Sequence, residues 1–277
     1  MSAMYRAIMT RSTMPWRVTN DRMQEVRSFA LLQRVRVDAL DYSMAVSIVM
    51  NWSRQHESRY ACFANVHMLM EAWDSTEFRS VVNDADLVTP DGMPLVWMMR
   101  MKGARRQQRV YGPTLMLNVM ESAAREGIPV GFLGGEPAVL ESLVERMRRD
   151  YDGLNVAFAL SPPFTTAGPE EEQELVKRIN LSGARILFVG LGCPKQEIWM
   201  ARHRGRVDAV MLGVGAAFDF HAGVKPQAPG WMQRLGLEWL FRLSTEPRRL
   251  WKRYLFHNPR FVALALADLL GLMGRSD

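Results

Sequence analysis

Three stretches of the chain share one plan, a near-continuous apolar run that ends in glycines. They are IPVGFLGG at 128–135, ARILFVGLG at 184–192 and VDAVMLGVG at 207–215. A strand with no polar alternation must be covered on both faces, and that is the condition of a parallel sheet sandwiched by helices. The segments between such runs fit. PAVLESLVERMRRDY, 137–151, is an amphipathic helix, and EEEQELVKRIN, 170–180, opens a helix with three acids that suit its dipole. Strands and helices alternating at these lengths predict βαβ units and an α/β, Rossmann-like, mainly parallel sheet flanked by helices.

The first half extends the pattern. RVRVDALD, 34–41, alternates like a strand or hairpin arm, and YSMAVSIVMNW, 42–52, has the apolar content of a helix. YACFANV, 60–66, reads as a buried strand, with HMLMEAWDS, 67–75, as a helix after it. ADLVTPDG, 85–92, is a short strand into a Pro-Asp-Gly turn, followed by a helix-like MPLVWMMRM, 93–101. GPTLMLNVMESAAREG, 112–127, starts with Pro and stops at Gly as helices do. LNVAFALS, 154–161, is a further strand, and SPPFTTAGP, 161–169, a loop. Residues 1–33 show no clean period and read as a variable arm. The expected organisation is that arm, a catalytic body over 34–235, and a C-terminal appendage over 236–277.

With 277 residues, 48% of them hydrophobic, the chain can bury a sizeable core. A formal net charge of +6 favours an anionic partner: nucleic acid, a phosphorylated substrate or an anionic membrane surface. Cys62 and Cys193 are the only cysteines, so neither a disulfide framework nor a thiolate metal site is expected, and a reducing compartment is. No long apolar run follows Arg6, Arg11 and Arg17, so no signal peptide is expected. FVALALADLLGLM, 261–273, is too short to span a bilayer, which takes about 20 residues.

In open parallel sheets, ligands bind beyond the carboxyl ends of the strands. Four polar clusters fall at such ends: Asn65, Asp91, Gly134-Gly135, and Cys193 to Glu197. The turns at Gly134, Gly135, Gly190 and Gly192 can be tight turns alone, or their N–H groups can cradle a diphosphate. Glu197 is explained by a helix N-terminus, whereas Lys195 opposes the helix dipole and Gln196 is idle there, so a ligand would use both. Asp91 is ordinary turn material or a carboxylate able to take a proton from an attacking hydroxyl. Asn65 caps the next helix or binds a ligand. Metal binding is poorly supported. Histidines 56, 67, 203, 221 and 257 include no HxxxH or HxH pair, and Asp219 and His221 on one side of a strand would give only two ligands.

The last fifth is basic and aromatic together. In WLFRLSTEPRRLWKRYLFHNPR, 239–260, Arg242, Arg248, Arg249, Lys252, Arg253 and Arg260 interleave with Trp239, Phe241, Trp251, Tyr254 and Phe256. Such a segment lies on an anionic membrane surface, where each basic residue contributes roughly 1 kcal/mol. A solvated basic face packed on the body is the plainer reading. Nucleic acid is a third, but no nucleic-acid motif is present and the apolar 261–273 segment suits lipid better. Two other classes stay open on these residues: a Rossmann-type oxidoreductase, against which the missing third glycine speaks, and a non-enzymatic module for nucleic acid or anionic lipid.

The stretches ANVHMLMEA, DLVTPDGMPLVW, RVYGP, FLGG, VGLGCPKQEIWMARH and GVGAAFDFHAGVKPQAPGWMQRLGLEWLFRLSTEPRRLWKRYL, in this order over about residues 35–256, resemble the WecG/TagA/CpsF glycosyltransferases. More loosely, the chain is similar to the exopolysaccharide glucosyltransferases within that family. The resemblance implies an α/β body with a C-terminal appendage. It implies inverting transfer of a sugar from a UDP-sugar donor to a polyprenyl-diphosphate-linked sugar acceptor, without a metal or other cofactor, at the inner face of the cell membrane. Glucose, N-acetylmannosamine and its uronic acid are the donor sugars it leaves open, and self-association is open too. It makes Asp91 the general base and Gln196 its catalytic companion, with Asn65 lining the pocket. Lys195 and Glu197 would stand with the glycine turns at the nucleotide or diphosphate. Arg242 and Arg249, with Lys252 and Arg253 nearby, would close over the site and engage the diphosphate. Where the family often has threonine two residues before the asparagine, this chain has Phe63.

Overall fold

A computed structural model describes residues 26–162 and 168–273. Six strands form one sheet: β3 (Arg59–Ala64), β4 (Leu87–Pro90), β5 (Val130–Gly134), β6 (Val156–Leu160), β7 (Ile186–Gly190) and β8 (Val210–Leu212). Their order is β4-β3-β8-β7-β5-β6, and every pairing is parallel. The mainly parallel α/β sheet expected from the apolar runs is therefore present.

The alternation of side chains explains why those runs look continuous. Leu187 and Val189 of β7 point into one buried layer, Ile186 and Phe188 into the other. Cys62 and Ala64 of β3 face the first layer, Ala61 and Phe63 the second. The first layer is built by helices α2 (Val66–Asp74), α3 (Thr76–Asn83), α4 (Met93–Met101), α7 (Pro169–Ser182) and α8 (Lys195–His203). The second is built by α1 (Tyr42–Arg54), α5 (Gly112–Glu126), α6 (Pro137–Asp150) and the short α9 (Ala217–His221). Local signals place the ends. Asp41 caps Met44 N–H at 2.9 Å, Ser75 caps Phe78 N–H at 3.1 Å, and Gly127 ends α5 in the left-handed region at φ 67°.

Ahead of the sheet, β1 (Ser28–Leu31) pairs antiparallel with β2 (Val35–Asp38), so the expected hairpin arm finds its partner inside the stretch read as a variable arm. Asp38 Oδ2 accepts the Val88 N–H at 2.8 Å, which covers the outer edge of β4. Residues 1–25 and most of the 161–169 loop lie outside the described residues. Asp219 and His221 stand on the short helix α9 rather than on a strand, and this corrects the strand reading. Ala216 and Ala217 there favour a turn of helix after the Gly213–Gly215 bend. His221 is spent on the Pro113 carbonyl at 2.9 Å and Asp219 on Lys225 at 2.8 Å.

Three C-terminal helices follow: α10 (Gly230–Arg234), α11 (Glu238–Thr245) and α12 (Pro247–Leu269). The last is fastened along α2 and α4. Phe261 and Ala265 enter the first core layer, and Arg260 grips Asp74 through two hydrogen bonds of 2.6 and 2.9 Å. Lys102 meets Asp268 at 2.8 Å, where the carboxylate is fully buried. Among the described residues no helix is long and apolar enough to cross a membrane.

Candidate active site

The carboxyl ends of adjacent strands bring the predicted residues to one rim. Asp91 follows β4 and Asn65 follows β3, and the two main chains are tied there by Asp91 N–H and Gly92 N–H donating to the Ala64 carbonyl at 2.8 and 3.0 Å. Gly213 and Gly215 follow β8, Gly190 ends β7 with Gly192 just beyond it, and Gly134 ends β5 with Gly135 next. The glycines are required by closeness as well as by φ. Gly134 sits at φ 115°, and a Cβ there would lie 2.6 Å from the Gly190 carbonyl oxygen. Gly135 N–H donates to that oxygen at 3.2 Å, and Gly215 N–H donates to the Val189 carbonyl at 3.3 Å, so the three turns brace one another.

Asp91 stands at this rim, nearly enclosed. Its side chain is 14% exposed. Oδ1 accepts the Gly112 N–H at 3.2 Å, at the start of α5, and the Asn65 amide donates to the same carboxylate. Burial raises the Asp91 pKa to about 6 against the lowering effect of Arg109, and Glu238 adds to the rise. Asn65 also does what a cap does, accepting the Met68 N–H at 3.2 Å. Its two readings are thus compatible, because its carbonyl oxygen serves the helix and its amide serves Asp91. Phe63 is buried beneath this turn, where a Cβ on Gly112 would meet its ring at 3.3 Å, so it packs and brings no hydroxyl.

Arg109, Tyr111 and Glu238 complete the surroundings of Asp91. Arg109 donates through Nε to the Asp91 main-chain carbonyl, and its Nη2 lies 2.7 Å from Glu238 Oε2 and 3.7 Å from Asp91 Oδ1. Its guanidinium stacks on the Tyr111 ring at 3.9 Å, and the Tyr111 hydroxyl donates to Glu238 Oε1 at 3.1 Å. Sequence reasoning passed over all three as site residues. RVYGP, before a helix start, was the available signal for Arg109 and Tyr111. None pointed to Glu238, which reaches the rim from α11.

Gln196 and Glu197 lie deeper than a ligand-facing pair. Gln196 Oε1 accepts the Gly192 N–H at 3.1 Å, and Nε2 donates to the Gly213 carbonyl and to Glu197 Oε1, both at 2.7 Å. The amide therefore clamps the β7 turn to the β8 turn from beneath. Burial lifts the Glu197 pKa to about 7. Lys195, at the start of α8, is exposed.

The C-terminal basic residues divide. Arg249 is bound by Glu246 at 2.6 Å and is 53% exposed, and Lys252 is exposed beside the Trp251 ring. Arg242 and Arg253 turn inward. The Nε of each is buried and has no partner among the described residues. Both lie near enough to His67, two residues after Asn65, to act on its ionisation. Burial first, then Arg253, His257 and Arg242, lower the His67 pKa to about 3. His67, Glu71 and His257 place ligand-type atoms within 4.8 Å of one another, a grouping that the linear spacing hid. The positive field of Arg242 and Arg253 opposes a cation there.

A buried carboxylate of raised basicity, set beside an arginine at the carboxyl edge of a parallel sheet, makes this rim the candidate site of an α/β protein. Residues 30–275 match the family described as Glycosyl transferase WecG/TagA/CpsF family, and the chain belongs to that family. It is accordingly a sugar-transfer enzyme, in a family of inverting transferases that act on nucleotide sugars.

Proposed function

We propose that the protein moves a sugar from a UDP-sugar to the hydroxyl of a polyprenyl-diphosphate-linked sugar, with Asp91 as general base. The observation that carries this reading is the Asp91 carboxylate itself, with its pKa raised to about 6 and Arg109 beside it. A base of this strength is half ionised close to working pH and can take a proton without being protonated beforehand. Asp91 removes the acceptor hydroxyl proton, the freed oxygen bonds to the anomeric carbon from the face opposite UDP, and the bond from that carbon to the diphosphate oxygen breaks. UDP leaves with growing negative charge. The inward Arg242 and Arg253, with Nε groups that have no other partner among the described residues, stabilise it, whereas the Gly135, Gly192 and Gly215 N–H groups are held by protein acceptors and serve to shape the turns. Gln196 and Glu197 set the shape of those turns from below. Lys195 stands at the open side, toward donor or acceptor oxygens.

The C-terminal helices form the membrane-facing part of this reading. Trp251, Leu255, Val262, Leu266 and Leu270 are exposed along one side of α12 and its end, and Trp231, Leu235, Trp239 and Leu240 are exposed on the two preceding helices and the turn between them. Arg248, Arg249 and Lys252 are exposed with them. That pairing suits the headgroup layer of an anionic membrane on the cytoplasmic side, where the lipid-linked acceptor is held. The body over 34–235 then supplies the base and turns, and the appendage from 236 supplies lipid contact and cations.

The test is a panel of UDP-sugars with synthetic polyprenyl-diphosphate-sugar acceptors, with and without EDTA. One donor, glucose or an N-acetylmannosamine type, is expected to be consumed, with inverted anomeric configuration and no loss in EDTA. Failure of every UDP-sugar together with binding of NAD(P) would replace this reading with the oxidoreductase one.

A further inference from the structure

Glu238 is the residue through which the C-terminal helices touch the surroundings of Asp91. Both of its carboxylate oxygens are engaged, Oε2 by Arg109 Nη2 at 2.7 Å and Oε1 by the Tyr111 hydroxyl at 3.1 Å. The same Arg109 nitrogen stands 3.7 Å from Asp91 Oδ1, outside hydrogen-bond range. Arg109 is held in this pose from three sides: the Asp91 carbonyl on Nε, the Tyr111 ring against its face, and Glu238 at its tip. Of these only Glu238 decides which carboxylate receives the guanidinium tip. The other titratable groups around Asp91 are Tyr42 of α1 and Tyr111, both phenols held neutral with raised pKa values through burial. The charge balance is therefore one guanidinium between two carboxylates.

We propose that Glu238 is a positioning residue for the transfer reaction: by taking the tip of Arg109 it withholds a close ion pair from Asp91, so the base stays free only while the C-terminal helices are docked. Without Glu238 the guanidinium has about 1 Å to travel before it makes a charge-assisted hydrogen bond to Asp91 Oδ1. A carboxylate so paired holds its negative charge more firmly and is a weaker base. The proposal rests on the reading of Asp91 as the base. It adds that the appendage acts on catalysis through this glutamate as well as through its arginines.

The experiment measures kcat/KM against pH for full-length wild type, Glu238→Gln, Glu238→Asp and Asp91→Asn, with a UDP-sugar and a polyprenyl-diphosphate-sugar in detergent. Glu238→Gln is expected to move the acidic limb down by about one pH unit and to lower the plateau about tenfold. Glu238→Asp keeps the charge and is expected to restore the wild-type limb. A merely structural role for Glu238 would lower the rate without moving the limb. An unmoved limb in Glu238→Gln overturns the proposal. A rise in kcat/KM also overturns it, since that would show Glu238 competing with substrate for Arg109. If Glu238→Gln does not fold, Tyr111→Phe loosens Glu238 without changing any charge; a smaller shift in the same direction supports the proposal and an unmoved limb overturns it. Asp91→Asn separates the two claims. Full turnover in Asp91→Asn ends the base assignment itself, whereas its loss alongside an unmoved limb in Glu238→Gln ends only the role of Glu238.

Discussion

Replacing Asp91 with asparagine should make the protein more stable, by an amount that depends on pH. The folded protein holds the Asp91 carboxyl at a pKa of about 6, against 3.8 for an ordinary aspartate. A raised carboxyl pKa means that the fold prefers the protonated form, so stability is lost as pH climbs from the unfolded value through the folded one. At pH 7.5 the group is ionised in both states, and the full cost of about 3 kcal/mol applies. At pH 4.5 the folded group is protonated while the unfolded one is mostly ionised, and the remaining cost is about 1 kcal/mol. Asparagine carries no such cost. Its carbonyl can still accept from Gly112, and Arg109 keeps Glu238 at 2.7 Å, so no cation is stranded. Urea unfolding of wild type and Asp91→Asn at both pH values is the assay. The expected gain is about 3 kcal/mol at pH 7.5 and about 1 kcal/mol at pH 4.5. A variant that is no more stable than wild type at pH 7.5, or whose gain is the same at both pH values, would refute the claim that the fold holds a strained base there.

The turns and the appendage give further tests. Gly134→Ala places a Cβ 2.6 Å from the Gly190 oxygen at φ 115°, and should cost about 2–4 kcal/mol in urea unfolding. Gly127→Ala, also at positive φ but with nothing within 4 Å, should cost only about 1 kcal/mol, which isolates the close approach. Lys102→Met leaves the fully buried Asp268 carboxylate without its 2.8 Å partner and should cost about 3 kcal/mol, read as a drop in Tm. Trp251→Glu with Leu255→Glu, at positions 45% and 66% exposed, should leave Tm unchanged while weakening binding to anionic vesicles at least tenfold, to about a tenth of wild type or less, in a flotation assay.

Most of the body was legible in the sequence because two-sided burial removes polar residues from parallel strands. The apolar runs at 128–135, 184–192 and 207–215 became β5, β7 and β8, each ending at its glycines. What escaped were features set by distant partners. The strand at 28–31 has no signature apart from its pairing with 35–38. Asp219 and His221 looked strand-like because spacing by two is all that a short turn of helix offers. Asp91 and Asn65 could be picked out because strand-end turns are where parallel sheets place ligands. Their bond to each other joins the ends of two neighbouring strands, and the Arg109–Glu238 pair above them joins residues more than a hundred apart along the chain. Gln196 was expected to face a ligand, and its buried side chain instead holds two turns together, a task no linear motif declares.

The measurement closest to the heart of the account is the turnover of Asp91→Asn on the preferred UDP-sugar and a polyprenyl-diphosphate-sugar acceptor at pH 7.5. Loss of about a hundredfold or more in kcat, with KM for donor little changed, is the predicted result. Turnover within about threefold of wild type would contradict it, because a general base removed from its proton cannot leave the rate intact.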